Sequence, residues 1–258
     1  MPLQFNSEIR TLNKLFPLTI SRGTTAQSDN LYVFLSDGEH TGVGELSPAT
    51  GKSWTAQRGQ EQLTSFFTQS GLFKQVPAPH DVWQAMADAN IDPPAMAALD
   101  IALWDLMAKR AKMPLHQYLG LPFRAVPTSV TIGLNPPEVT TERVPKILEN
   151  SKAKCLKIKL GSPKGIEYDK SHFLAAKAAS TPYGSILRVD ANGGWSVADA
   201  IHMTQWLAQQ GVDYVEQPLV EGGEGGLAEV SQHSPLPIYI DESIKFASDV
   251  PKWANSVT

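Results

Sequence analysis

The stretch Cys155–Ser243 carries four short apolar runs: CLKIKLG (155–161), ILRVDANGG (186–194), VDYVEQPL (212–219) and PIYIDES (237–243). Each is rich in β-branched or bulky apolar residues and short enough for a buried parallel strand. Three of them end on an acid, Asp190, Glu216 and Asp241, at intervals of 26 and 25 residues. That interval holds one strand, one helix and two short loops, which is a βα unit. Successive parallel strands of a barrel open their C-terminal ends at one mouth, so the three carboxylates are expected to converge there. Oxygen donors with no Cys or His among them suit a hard cation such as Mg²⁺.

The first run supplies a different chemistry. Side chains alternate along a strand, so Cys155, Lys157 and Lys159 share one face and Leu156, Ile158 and Leu160 the other. In a barrel the apolar face meets the helices and the lysines point inward, Lys159 nearer the mouth. A lysine that is partly desolvated beside a metal can lose its proton readily enough to act as a base near neutral pH. One acid after a strand is usually a loop residue or a helix N-cap. Two strand lysines usually face solvent. Three acids at three successive strand ends, following a K-x-K strand, form a joint pattern that those ordinary readings do not produce.

The chain has 258 residues, enough for one large or two modest domains. Its 42% apolar and 19% charged content is that of a soluble globular protein, and the net charge of −4 offers nothing to nucleic acid or an anionic membrane. No run is long enough to span a bilayer and none reads as a secretory leader. The single cysteine, Cys155, excludes an internal disulfide and reads as a small core residue. These features lead us to expect a cytoplasmic enzyme acting on a small molecule.

Residues 1 to about 50 read as antiparallel strands. NLYVFL (30–35) and TGVGEL (41–46) flank SDGE (36–39), a strong hairpin signal. Ser21–Thr25 reads as a polar, mobile loop able to reach over a neighbouring site, with Arg22 its one charge. Helices are expected at 55–69, 80–89 and 93–112, the last with Asp92 as N-cap and Pro93-Pro94 in its first turn. The domain boundary falls near Phe123. From Val126, strands at 126–134, 154–160, 186–190, 214–216 and 238–241 alternate with helices at 137–150, 167–180 and 196–209. Gly222–Gly226 fits neither phosphate-cradling pattern and reads as a flexible loop, and no histidine has metal-site spacing.

The order K-x-K, D-x-N, E-Q-P, D-E-S resembles the enolase superfamily, in its muconate-lactonising branch. AALDIALWDLMAK resembles the helix joining that family's capping domain to its barrel. The resemblance implies an α/β architecture: an α+β N-terminal capping domain (1–122), then an incomplete (β/α)8 TIM-type barrel (123–258). It implies metal ligands at Asp190, Glu216 and Asp241 and Mg²⁺ as cofactor. It implies a catalytic base at Lys159, with Lys157 beside the substrate carboxylate. Such a lysine can take an α-proton when a cation offsets the charge that develops on the carboxylate. Asn192 is placed behind the ligands, where it can orient one of them or a metal-bound water.

TSVTIG (128–133) and SRGT (21–24) resemble the dipeptide epimerases, often of the L-Ala-D/L-Glu type. That resemblance implies substrate contacts from Arg22 and Thr131. The alternatives are o-succinylbenzoate synthase, a muconate cycloisomerase-like enzyme and a non-catalytic metal-binding remnant. The family also uses a second lysine on a sixth strand, and five strands are read up to Thr258. We therefore expect the chain alone to be impaired in epimerisation and, with two open sheet edges, to be oligomeric, as a homo-oligomer for example.

Overall fold

The computed structural model describes residues 2–48, 53–124 and 126–257. The chain divides into two compact units, 1–15 with 26–125 and 16–25 with 126–258. Among the described residues no helix is long and apolar enough to cross a membrane.

The first unit is an antiparallel sheet packed with helices. Its three strands, β1 (Gln4–Ile20), β2 (Gly23–Ser36) and β3 (Thr41–Leu46), lie in that order. On β2 the alternation Leu31, Val33, Leu35 is fully buried. These side chains meet Leu63 and Phe66 of α1 (Ala56–Gln69), Val82 and Met86 of α2 (Pro79–Asp88), and the apolar face of α3 (Pro93–Arg110). β3 rests directly on α3, because Gly42 and Gly44 carry no side chain there. A Cβ on Gly44 would lie 1.9 Å from the Ala98 carbonyl oxygen. The Asp105 carboxylate accepts the outward Val43 N–H at 2.8 Å, which satisfies this edge strand. Asp92 does start α3, but its carboxylate does not cap it. Arg58 takes both oxygens, at 2.6 and 3.1 Å. α4 (Leu115–Tyr118) follows.

The stretch expected as a mobile loop at 21–25 is instead the tip of a long hairpin. β1 runs to Ile20, β2 starts at Gly23, and only Ser21 and Arg22 link them. The Thr19 and Thr24 hydroxyls meet across the hairpin at 2.9 Å, so strand pairing prevails over the polar composition. The tip, 16–25, belongs to the second unit. Leu134 N–H donates to the Thr19 carbonyl at 2.8 Å, and the Arg143 guanidinium lies 5.0 Å from the Phe16 ring centre.

The second unit is a five-stranded parallel sheet, β4 (Ser129–Ile132), β5 (Cys155–Lys159), β6 (Ile186–Asp190), β7 (Val215–Glu216) and β8 (Ile238–Tyr239), in sequence order. Between the strands run α5 (Pro137–Ser151), α6 (Ile166–Ser180), α7 (Val197–Gln209) and α8 (Leu227–His233), and α9 (Val250–Trp253) follows β8. The glycine cluster expected as a loop makes one 3₁₀ turn at Glu224–Gly226 that leads straight into α8. β8 is shorter than the run 238–241 suggests. The Asp241 N–H bonds to the Gln217 side-chain oxygen at 2.8 Å and so leaves the backbone ladder. Leu156, Ile158 and Leu160 are fully buried with Val144, Leu148, Phe173 and Ala176, so the apolar face of β5 does meet the helices.

His172 of α6 is fully buried, with Nδ1 2.7 Å from the Thr140 hydroxyl of α5. Burial holds its imidazole down to about 4, from an ordinary 6.5. A folded-state value below the unfolded one makes the unfolded chain take the proton first. This stability is therefore complete above pH 6.5 and is lost as pH falls through about 4. The full shift corresponds to roughly 3 kcal/mol. Urea unfolding across that window should show the loss. His172→Gln, which cannot protonate, should flatten the slope, and equal slopes in the two proteins would refute this assignment.

Candidate active site

β5 places both lysines where alternation requires. Lys157 pairs in register with Arg188 and with Thr131 of β4, and Lys159 pairs with Asp190. Asp190 in turn pairs with Glu216 of β7, so the two acids stand side by side on the lysine face. Lys159 Nζ lies 2.5 Å from Asp190 Oδ2, and Lys157 Nζ lies 2.6 Å from Glu216 Oε2. Asp190 is fully buried, and both lysines are half-buried.

Charge on this face is crowded. Burial raises the Glu216 carboxyl above its ordinary value, the neighbouring Asp190 charge adds to that, and Lys157 opposes it. Burial pulls the Lys157 ammonium down, but its hydrogen bond to Glu216 and the charges of Glu216 and Asp190 outweigh this and leave it raised. Asp241, two residues beyond β8, has its outer edge open to solvent. Partial burial of the carboxyl still raises it, with the charges of Glu242 and then Asp190 adding to the rise.

Asn192 sits in a left-handed turn, φ 43°, directly after β6. Its backbone N–H donates to Asp190 Oδ1 at 2.8 Å. Its side-chain amide donates to Asp190 Oδ2 at 3.2 Å and to Glu242 Oε1 at 3.0 Å. The hairpin tip reaches the same turn. Ser21 Oγ donates to the Asn192 carbonyl at 2.8 Å, and Arg22 Nη1 reaches that carbonyl at 3.2 Å and Glu242 Oε1 at 2.6 Å. Arg22 is thus held by Glu242 and Asn192, while Thr131 stands beside Lys157.

The expected convergence of Asp190, Glu216 and Asp241 on one ion is not realised as a ready-made site. Among the described residues no three acidic, histidine or cysteine side chains gather closely enough to hold a metal. Asp190 and Glu216 are turned instead to the lysines, because a buried carboxylate takes the nearest cation as its partner. The donor chemistry nevertheless fits a hard divalent ion. Three carboxylates lie at neighbouring strand ends, and Glu216 and Asp241 are both raised, first by burial and then by neighbouring negative charge that includes Asp190. Among the described residues the buried Asn192 Oδ1 has no hydrogen-bond partner.

Sequence reading gave no role to Gln217 or Ser243, although the E-Q-P and D-E-S motifs contain them. Gln217 is buried, with φ 41°. Its Oε1 accepts the Asp241 N–H at 2.8 Å, and its Nε2 donates to Leu219 O at 2.9 Å and Ser243 Oγ at 2.8 Å. It fixes the acid after β8 to the strand beside it. Gln217→Ala leaves the Leu219 carbonyl and the Asp241 N–H without this partner, at about 1–3 kcal/mol for each unsatisfied group, while Ser243 keeps its bond to Glu224. Urea unfolding should show a loss of roughly 3 kcal/mol. A variant as stable as the parent would contradict the role of this amide.

Two family profiles match the chain: "Mandelate racemase / muconate lactonizing enzyme, N-terminal domain" over residues 7–120 and "Enolase C-terminal domain-like" over residues 140–256. A hydrophobic dipeptide epimerase of Roseobacter litoralis is 49% identical over 247 residues, covering 95% of this chain and 70% of that protein. A hydrophobic dipeptide epimerase of a Flavobacteria bacterium is 46% identical over 258 residues, covering 99% of this chain and 72% of its own. Among solved structures, a dipeptide epimerase from Enterococcus faecalis, complexed with Mg and L-Leu-L-Tyr, superposes with a TM-score of 0.87 at 28% identity. The match covers all of this chain and 73% of that one. With the paired lysines of β5 facing the acids of β6 and β7, these likenesses place the chain in the mandelate racemase/muconate lactonizing enzyme family of the enolase superfamily.

Proposed function

We propose that this chain takes the α-proton from the second residue of a dipeptide through Lys159, and that its chemistry is the Mg²⁺-dependent epimerisation of dipeptides with hydrophobic side chains. The observation that carries the reading is the Lys157/Lys159 face of β5, each ammonium set on an acid at the end of a following strand. The names of the two relatives at 49% and 46% identity favour hydrophobic dipeptides over those carrying Glu.

Asp190, Glu216 and Asp241 would hold Mg²⁺, which when bound supplies Lewis-acid stabilisation of the negative charge that develops on the substrate carboxylate. Lys159 accepts the proton from the α-carbon once it is free of Asp190 and deprotonated. Lys157 offsets charge beside the carboxylate. Asn192 holds the Asp190 carboxylate in place from behind, with two donors. Thr131 lines the pocket next to Lys157. Arg22 and the Ser21 hydroxyl line a cavity beside Asn192 and Glu242. Because Glu242 already neutralises the Arg22 guanidinium, an acidic substrate side chain gains little there. That agrees with a hydrophobic substrate.

The test is proton exchange. The 258-residue chain, incubated with Mg²⁺ in D₂O, is given L-Leu-L-Tyr and L-Ala-L-Glu in turn. Exchange needs a base on only one face of the α-carbon. NMR should show the α-proton of the second residue disappearing, faster for L-Leu-L-Tyr. No exchange above buffer with either dipeptide would end this reading. Exchange confined to L-Ala-L-Glu would end its hydrophobic part.

A further inference from the structure

The loop leaving β5 just beyond Lys159 is fastened by a buried carboxylate that the proposed chemistry does not use. Asp169, in the first turn of α6, is fully buried. Its Oδ2 accepts the Gly161 N–H at 2.9 Å and the Trp195 indole N–H at 2.9 Å. Its Oδ1 accepts the Ser162 N–H at 3.0 Å. Gly161 and Ser162 follow Lys159 in the chain, and Trp195 follows Asp190 and Asn192. One carboxylate therefore ties the loop after the base to the loop after the base's acid partner.

Those two loops also touch backbone to backbone. Leu160 N–H donates to the Asp190 carbonyl at 2.8 Å. A Cβ on Gly161, whose φ is 78°, would lie 2.2 Å from the Ala191 carbonyl oxygen, and one on Gly194 would lie 2.4 Å from Gly161 O. Contacts this close leave the spacing of the two strand ends little freedom. Asp169 is held by two amides and an indole. Burial raises its carboxyl and those three donors oppose the rise. A buried carboxylate is an expensive way to add stability alone, since apolar residues of similar volume serve as well or better. It does give three directed bonds to three fixed donors, which sets geometry.

We propose that Asp169 is a positioning residue for the Lys159–Asp190 pair, acting through the 160–162 and 191–195 loops. The proposal rests on the reading of Lys159 as the base. Asp169→Asn keeps the volume but turns an NH₂ toward one or more of the three donors. Proton exchange should then fall roughly 10–100-fold in kcat, with KM unchanged, as it does when a supporting shell is loosened.

A second readout needs neither turnover nor metal. Reductive ¹³C-methylation places an NMR label on every lysine, and Lys159→Arg assigns the Lys159 signal. In Asp169→Asn that signal should move toward the position of exposed lysines. A purely structural role would lower Tm while leaving kcat per folded molecule and the Lys159 signal as they were, and that result overturns the proposal. If Asp169→Asn is insoluble, Trp195→Phe, which removes one of the three donors, decides by the same two readouts with smaller shifts. If the parent chain shows no exchange yet Asp169→Asn moves the Lys159 signal, the proton-abstraction reading fails and the positioning role stands. If the parent exchanges and both folded variants match it, the positioning role fails alone.

Discussion

Lys159→Ala should abolish exchange of the substrate α-proton while leaving Mg²⁺ binding no weaker than in the parent. A positioned base contributes roughly 10²–10⁴-fold, and the variant should lose that whole range. Lys159 is well placed for such a role. Its side chain is 13% exposed and its ammonium is 2.5 Å from a carboxylate that is itself 1% exposed, so it is held in one position. Lys159→Arg should fail as completely, because a guanidinium does not deprotonate near neutral pH. Lys159→Ala also removes a positive charge from the acidic cluster, which favours any added cation. Asp190 keeps its two donors from Asn192, so the fold should survive. Mg²⁺ affinity is read by calorimetry and exchange by NMR on the same sample. Unchanged exchange with both stereoisomers of the second residue would remove Lys159 from the mechanism.

Much of this site is legible in the sequence because it rests on two periodicities. Strand alternation puts Lys157 and Lys159 on one face of β5, and the interval of a βα unit brings Asp190 and Glu216 side by side in register. What spacing does not carry is which partner a side chain chooses. Asp92 stands at a helix start, yet its carboxylate goes to Arg58, 34 residues away. Asp190 and Glu216 lie on the expected face, yet local charge turns them to lysines and not to a common point. The hairpin tip reads as a loop because Ser21, Arg22 and Gly23 are loop-forming residues. It is ordered by bonds to Asn192 and Glu242, about 170 and 220 positions later in the chain. Asp169 and Gln217 escape notice for the same reason. Each is defined by donors and acceptors on other elements, and neither has a spacing that a linear pattern could register.

Asp190→Asn should have the opposite signature to Lys159→Ala, losing the metal as well as the exchange. Asp190 is fully buried and accepts three hydrogen bonds, from Lys159 Nζ, Asn192 N and Asn192 Nδ2. An asparagine there offers one acceptor oxygen and turns an NH₂ toward a donor. It also leaves the Lys159 ammonium without its carboxylate. Breaking a buried pair from one side costs about 3–5 kcal/mol, so the variant should be destabilised by an amount in that range. Mg²⁺ affinity should drop by more than about 100-fold, beyond what is lost when only a ligand's supporting partner is removed. The two effects separate in thermal unfolding. In the parent, Mg²⁺ at about 100 times its Kd should add roughly 2.7 kcal/mol of stability, and in Asp190→Asn the same concentration should add almost none. Lys159→Ala keeps the full increment. If Asp190→Asn is stabilised by Mg²⁺ as strongly as the parent, this strand end does not hold the metal. The lysine–acid pairs of β5 would then be structural ion pairs and not a base resting beside its cation site.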